Sequence, residues 1–350
     1  MARYDVVLTR RVQAVSGAPQ FVEIAPIDVA HFVWEQTVGA PGSVEVGCTV
    51  DSLEADAKAA LLDLSVTPCE LWVYRDDVQV HAGPVTDLRI DGRALTLVCP
   101  GLLAYIDYWV FIDAFYSATN QDQAAIVADL IGDYQAQPYA DFGLDATHLT
   151  SGVLRDLNLL GAEMPHLSAV IAEMGARDNG FDLDVDMASR RLIMYTPRQG
   201  SDLSASVFLT ARSIGDPHYS QSVGPGVLAA EVAVTSSSAG GVSLAATAED
   251  VALRNTFGRV MATTSFQDVS VQATLEEHAD RFLTDHSSPL HQVSPGLISV
   301  PGFEYGGFGK GDTVTYEYDA GLGIQTFELR VKTISVTTDS GVEEMSVAFF

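Results

Sequence analysis

Apolar and polar positions alternate with a period of two through most of the first hundred residues, the spacing of half-buried strands. Residues 4–8, 21–24 and 31–34 read as strands rich in aromatic and β-branched side chains. Gly39-Ala-Pro-Gly42 is a turn, and the following stretch to Val50 sets Val44, Val46 and Cys48 on one face. Asp51 and Glu54 have capping-box spacing ahead of a short helix over 55–62. Residues 69–75 and 78–82, joined at Asp76-Asp77, read as one hairpin; 85–90 and 94–99, joined at Asp91-Gly92, read as another. Short strands with turns and one small helix predict a sandwich or barrel.

From about residue 109 the period changes. Asn120 and Gln123 are placed to cap a helix reaching about Tyr134, with Ile126, Leu130 and Ile131 as its apolar stripe. Leu167, Val170, Ile171 and Met174 at i, i+3, i+4, i+7 mark a second helix that stops at Asn179-Gly180. Phe181, Leu183 and Val185 then alternate with Asp182, Asp184 and Asp186, and a turn at 187–189 leads into a strand over 190–195. Beyond Gly200 strands resume over 228–235 and 242–247, joined by a Ser-Ser-Ala-Gly-Gly turn at 237–241. A helix over 272–284 follows, and strands over 313–318, 325–337 and 343–349 tie the C-terminus into a sheet. The expectation is a β-rich α+β protein with domains at 1–108 (β), 109–215 (α+β) and 216–350 (β with one helix). No solenoid-period repeat is present.

Charge changes the picture of partners. Asp and Glu number 46 against 19 Lys and Arg, a net of −27 and a pI near 4.3, while 47% of residues are hydrophobic. A chain this apolar folds despite its charge. Phosphate affinity comes from Lys and Arg, so the balance argues against gripping nucleic acid or an anionic membrane. The N-terminal MARYDVVLTRR carries no signal-peptide pattern, and no apolar run approaches a membrane span. Cys48, Cys69 and Cys99 lack metal-type spacing and read as buried free thiols, with a Cys69–Cys99 bridge as the alternative.

Candidate chemistry is sparse. Walker A, HExxH and G-x-S-x-G motifs are absent from the sequence. The run from Gly306 to Gly311, containing Lys310, resembles a phosphate loop but leads into a β-branched run, not a helix, so a turning loop is expected. Asp182, Asp184 and Asp186 have the spacing of the first EF-hand ligands; Met187 and Ile193 stand where such a loop needs Gly and Glu. Alternation instead puts the three acids on a solvated strand face, with a weak cation site as the alternative. His31, His81, His148, His166, His218, His278, His286 and His291 show no metal-ligand spacing and are expected at the surface or at caps. Trp34, Trp72 and Trp109 are expected in the core, or at a contact between subunits. No catalytic, cofactor-binding or metal residue is assigned and no cofactor is expected; an acidic hydrolase acting on glycan or murein through dispersed carboxylates is the rival reading.

The ordered motifs resemble the baseplate-hub or tail-tip proteins of long-tailed bacteriophages, called minor tail proteins in phages of actinobacteria. The resemblance lies in His31-Phe-Val-Trp34 with Gly39-Ala-Pro-Gly-Ser43, in Leu71-Trp-Val-Tyr-Arg-Asp-Asp77 with His81-Ala-Gly-Pro-Val85, and in Leu95–Gly101 with Tyr105. It continues through Gln121-Asp-Gln-Ala-Ala-Ile126, Gly311-Asp-Thr-Val314, Phe327-Glu-Leu-Arg-Val331 and 343–349. The resemblance implies two tail-tube-like β-barrel or sandwich domains with an α+β domain between them. It implies a non-enzymatic structural protein of the virion tail tip, made in the host cytoplasm. Three copies would form a ring that adapts a six-fold tail tube to a three-fold tip. The implied partners are a distal-tail or tube ring, the tape-measure protein and tip or receptor-binding proteins, with DNA passing through an acidic channel during genome ejection. A cell-wall-cleaving or receptor-binding domain, found after the hub in some relatives, is expected to be absent here.

Overall fold

The computed structural model describes residues 3–62, 68–113, 115–177, 179–210, 219–222, 226–237, 243–267, 269, 271–287, 290–293, 297–298, 306–319, 324–339 and 342–350. The elements in chain order begin with β1 (Tyr4–Val12), β2 (Gln20–Ile27), β3 (His31–Thr37), β4 (Ser43–Thr49), α1 (Ala55–Leu62), β5 (Cys69–Arg75), β6 (Val78–Pro84), β7 (Asp87–Asp91) and β8 (Ala94–Pro100). Next come β9 (Phe115–Asp122), α2 (Gln123–Gln135), β10 (Leu154–Leu160), α3 (Leu167–Ala176), β11 (Asp182–Asp186), β12 (Arg191–Tyr195) and β13 (Phe208–Thr210). The remainder are β14 (Tyr219–Ser222), β15 (Glu231–Ser237), β16 (Ser243–Glu249), α4 (Val251–Phe257), β17 (Met261–Gln267), α5 (Gln272–His286), β18 (Leu290–Val293), β19 (Leu297–Ile298), β20 (Thr313–Asp319), β21 (Ile324–Asp339) and β22 (Val342–Phe349). The protein is therefore β-rich α+β with several sheets.

Two compact units divide the chain. Residues 217–294, with 175–180, form one; the rest, including the C-terminal strands, forms the other. In the larger unit β21 pairs with β3, so the last strands of the chain join the sheet built by the first hundred residues. That nine-stranded sheet runs β13-β20-β21-β3-β4-β8-β7, with β22 on β21 and β19 on β22. A second sheet, β2-β1-β5-β6, faces it. The Tyr4 ring of β1 lies 4.9 Å from the Phe32 ring of β3, and Val6, Leu8, Leu71 and Val73 are buried in the same core as Trp34, Val44 and Val46.

The buried face of the long sheet is continuous because a bulge corrects its phase. In β21 the buried residues are Leu329 and Val331, then Ile334 and Val336, an odd-to-even change of parity. The register shifts between Val331 and Thr333, and exposed Lys332 is the extra residue. One inserted residue keeps apolar side chains on the core side of both halves of a sixteen-residue strand.

The middle of the chain packs α2, α3, the β9–β10 ribbon and the β11–β12 hairpin into a shared core that includes Ile126, Leu130, Ile131, Leu167 and Val185. Asp122, not Asn120 or Gln123, caps α2: its carboxylate accepts from the Ala124 amide at 2.8 Å and also from Ser151 and Gly152. Ahead of α1, Thr49 caps a 3-10 turn, and Asp51 meets Arg93 at 2.5 Å. In the smaller unit β15 lies between antiparallel β16 and parallel β17. Leu275 and Ala279 of α5 pack with Val232, Val234 and Ala246 of that sheet. The Ser-Ser-Ala-Gly-Gly turn lies almost wholly outside the described residues.

Candidate functional site

The second face of the long sheet is polar and partly exposed. The register aligns Glu344, Thr337, Val33, Glu45, Val98 and Asp87 in one row across β22, β21, β3, β4, β8 and β7. A neighbouring row holds Ser346, Ser335, Glu35, Ser43 and Pro100. The opposite face, one residue out of phase, carries Met345, Val336, Trp34, Val44 and Cys99, all buried. Strand alternation thus places the acids and hydroxyls, with Val33, Val98 and Pro100 among them, on one side and the core on the other. Among the described residues of β7, Arg89 is the cation of this polar face, and its Nε lies 2.8 Å from Asp87. At the usual strand spacing, Glu45 stands about 10 Å from Asp87 and about 14 Å from Glu344. Those separations exceed the roughly 8 Å Debye length of physiological salt, so these three acids coexist at little mutual cost, while Glu35, diagonal to Glu45 at about 7–8 Å, adds to the negative wall.

Three ion-pair clusters tie the sheets to one another and to the middle of the chain. Glu343, neighbouring Glu344 but on the core face, accepts from Tyr4 Oη at 2.7 Å and from Arg75 at 3.1 and 3.2 Å, joining β22 to β1 and β5. Burial, followed by the Glu343 carboxylate, pushes the Tyr4 hydroxyl above the usual tyrosine range. Glu70, fully buried in β5, accepts from Arg190, Trp72 Nε1 and Tyr105 Oη. The third cluster corrects the expectation for the aspartate series. Asp182 meets Arg330 Nη2 at 2.6 Å, and Asp184 meets Lys310 Nζ at 2.9 Å, both half-buried; Asp186 alone is exposed, capping its turn through Ser189. A strand face that looks solvent-facing is covered because two distant cations, Arg330 of β21 and Lys310 of the loop before β20, converge on it.

Lys310 therefore serves as an anchor, donating to Asp184 and to the Thr37 carbonyl, and its glycine run turns through Gly309 N–H to Asp312. Two histidines depart from the surface expectation. His81 is buried with no hydrogen-bond partner at Nε2, and His278 is buried and stacked on Phe266 at 4.1 Å. His31 and His166 are exposed, while His148 and His286 bond backbone carbonyls of Leu192 and Phe282. His218 and the side chain of His291 lie outside the described residues. Trp34 and Trp109 are core residues, Trp109 stacked on Tyr134 and Phe142, whereas Trp72 is half-buried. All three cysteines are free and buried, and burial pushes the Cys69 thiol up to about 11. Among the described residues no group of three His, Cys, Asp or Glu is placed to hold a metal ion, and no helix is long and apolar enough to cross a membrane.

Burial lowers the His81 pKa from 6.5 to about 3, against a hydrogen bond with the Cys99 backbone that raises it. The unfolded chain takes up this proton near pH 6.5 and the folded chain only near 3, so its contribution is intact above 6.5 and declines as pH falls towards 3. Between pH 7 and 5, wild type should lose about 2 kcal/mol more stability than His81→Gln. Urea titrations at the two pH values read the difference; equal losses would rule out a buried neutral imidazole.

No family model and no curated protein matches the chain. Solved structures do match along its length. The 43 kDa tail protein of prophage MuSo2 from Shewanella oneidensis superposes with a TM-score of 0.63 at 13% identity, covering 99% of this chain and 98% of that one. A tail protein from Neisseria meningitidis MC58 gives 0.58 at 14% identity, covering 99% and 96%. The prophage tail protein gp18 from Listeria monocytogenes EGD-e gives 0.57 at 12% identity, covering 98% and 94%. Identities this low carry the fold. The chain has the fold of phage tail proteins, as its sequence motifs indicate.

Proposed function

From a tail-protein fold with an acid-and-hydroxyl sheet face, we propose that this chain is a non-catalytic structural hub of a phage tail. Three copies form a ring at the tail tip between a six-fold tube or distal-tail ring and a three-fold tip, beside the tape-measure protein and receptor-binding components. Strands of residues 1–108 and 313–349 together supply a tube-like β segment in the larger unit, and residues 217–294 fold as a separate unit. The row from Glu344 through Glu45 to Asp87 carries this reading. Carboxylates outnumber cations in these rows, where Arg89 is paired with Asp87, so the wall repels phosphate and DNA passes during ejection without being held. The pairing of β21 with β3 supports a wall made jointly by the two ends of the chain.

The test combines native mass spectrometry with DNA binding. The chain, alone or co-expressed with the proteins encoded beside it, should run as a three-copy species with no measurable affinity for labelled duplex DNA. Glu45→Lys with Glu344→Lys should keep the assembly and bind the duplex at least ten-fold more tightly, with a steep salt dependence. A chain that stays monomeric under every condition, or lysine variants no stickier than wild type, would overturn the proposal.

A further inference from the structure

An apolar junction in the larger unit lies far along the chain from the polar rows. Phe115 of β9 pairs directly with Leu160 of β10, and their side chains are 57% and 40% exposed. The two segments leading out of this pair stay together. The Phe111 amide donates to the Pro165 carbonyl at 2.9 Å, and Val110 bridges His166. Gly161 lies so close to residues 112–113 that a Cβ on it would sit 1.9 Å from the Asp113 carbonyl oxygen. Ile112 and Met164 belong to these same segments and are 64% and 61% exposed. Met164 holds a left-handed backbone with φ of 45°, a conformation that disfavours a side chain, at a position where that side chain points to solvent. Four large apolar side chains thus stand exposed on one knot of backbone, more than the scattered single exposures of an ordinary surface.

The charge of these segments is mainly negative. Residues 104–120 and 154–169 contain Asp107, Asp113 and Asp156, all exposed, while their basic side chains are Arg155, which is buried, and His166. A second copy meeting this junction face to face about a two-fold axis would bring identical carboxylates together, so isologous pairing is disfavoured there. We propose that the junction of Ile112, Phe115, Leu160 and Met164 is a docking surface for another protein, which presents an apolar segment flanked by Lys or Arg. Apolar side chains of the partner cover the four residues, and its cations meet the acidic rim. This surface is separate from the polar sheet face, and the proposal stands whether or not three copies close into a ring.

The probe is a displayed library of random dodecapeptides selected on the full chain, followed by fluorescence anisotropy with the enriched peptides as synthetic ligands. Enriched peptides should share an apolar centre with Lys or Arg on both sides. Phe115→Ser with Met164→Ser should weaken them at least ten-fold, and Asp107→Asn with Asp113→Asn about three-fold, with the salt dependence reduced. Both pairs sit on the surface, and an unchanged thermal melt checks their folding. A consensus without cations, binding unaffected by the serine pair, or self-association of wild type abolished by that pair would each overturn the assignment.

Discussion

Gly83→Ala should cost the protein about 3 kcal/mol or more and deplete its soluble expression, the upper range of overpacking effects. A Cβ at Gly83 would lie 1.8 Å from the Pro100 carbonyl oxygen and 2.9 Å from its carbonyl carbon. The obstacle is backbone, so no rotamer change relieves it, and β6 must separate from the end of β8. The next crossing is equally tight, with a Cβ at Gly101 2.0 Å from the Pro41 carbonyl oxygen. These glycines sit in the His81–Val85 and Leu95–Gly101 motifs, where close backbone approach explains why no side chain is tolerated. Gly132→Ala is the matched control. It lies inside α2 with no atom within 4 Å of the added methyl, and should stabilise by up to about 1 kcal/mol. Chemical denaturation of both variants tests the pair; a Gly83→Ala protein as stable as wild type would refute the crossing.

Glu70→Ala is expected to destabilise by about 3–5 kcal/mol, the range for removing one partner of a buried ion pair. Glu70 is wholly buried, and Arg190 places Nη1 and Nη2 3.0 and 3.2 Å from its two oxygens. The alanine leaves the guanidinium without its counter-charge and strips Trp72 and Tyr105 of an acceptor. Arg190 also lies over the Phe21 ring at 4.4 Å and donates to the Phe142 carbonyl, so it is held in place and cannot swing to water freely. The double variant Glu70→Leu with Arg190→Leu should lose less than the single alanine, because no lone charge remains buried. A larger loss in the double variant would mean that the ion pair itself, not the stranded charge, dominates. Thermal melts of the three proteins distinguish these outcomes.

Elements with clean periodicity were legible before any coordinates. The Val44, Val46, Cys48 alternation, the α3 stripe and the hairpin at Asp76-Asp77 follow from local spacing, and all are present. Elements without it were not. Leu154–Leu160 contains five apolar or amide side chains in seven positions and reads as no clear period, although β10 is buried at every second residue. Met261–Gln267, centred on Thr263, Thr264 and Ser265, has no clear period of its own and forms because β15 offers it a parallel edge. Glu70 was not singled out in the sequence, since a carboxylate inside an apolar strand has no signature until its cation is located 120 residues away.

By itself the sequence determined the strand-rich class, the excess of negative charge and the sorting of acids from apolar residues along β4, since each depends on neighbours a few positions apart. Its motif order also pointed to the tail-protein fold. Tertiary structure alone decided which acids meet cations: Asp182 and Asp184 alternate as regularly as Glu45, yet Arg330 and Lys310 converge on the first two. It also decided that β21 lies beside β3, nearly three hundred residues apart, so one polar face collects Glu344, Glu45 and Asp87. Spacing along a chain specifies which side of a strand a residue takes. Only long-range pairing, where backbone hydrogen bonds and burial offset the entropy of closing so large a loop, specifies what that side meets.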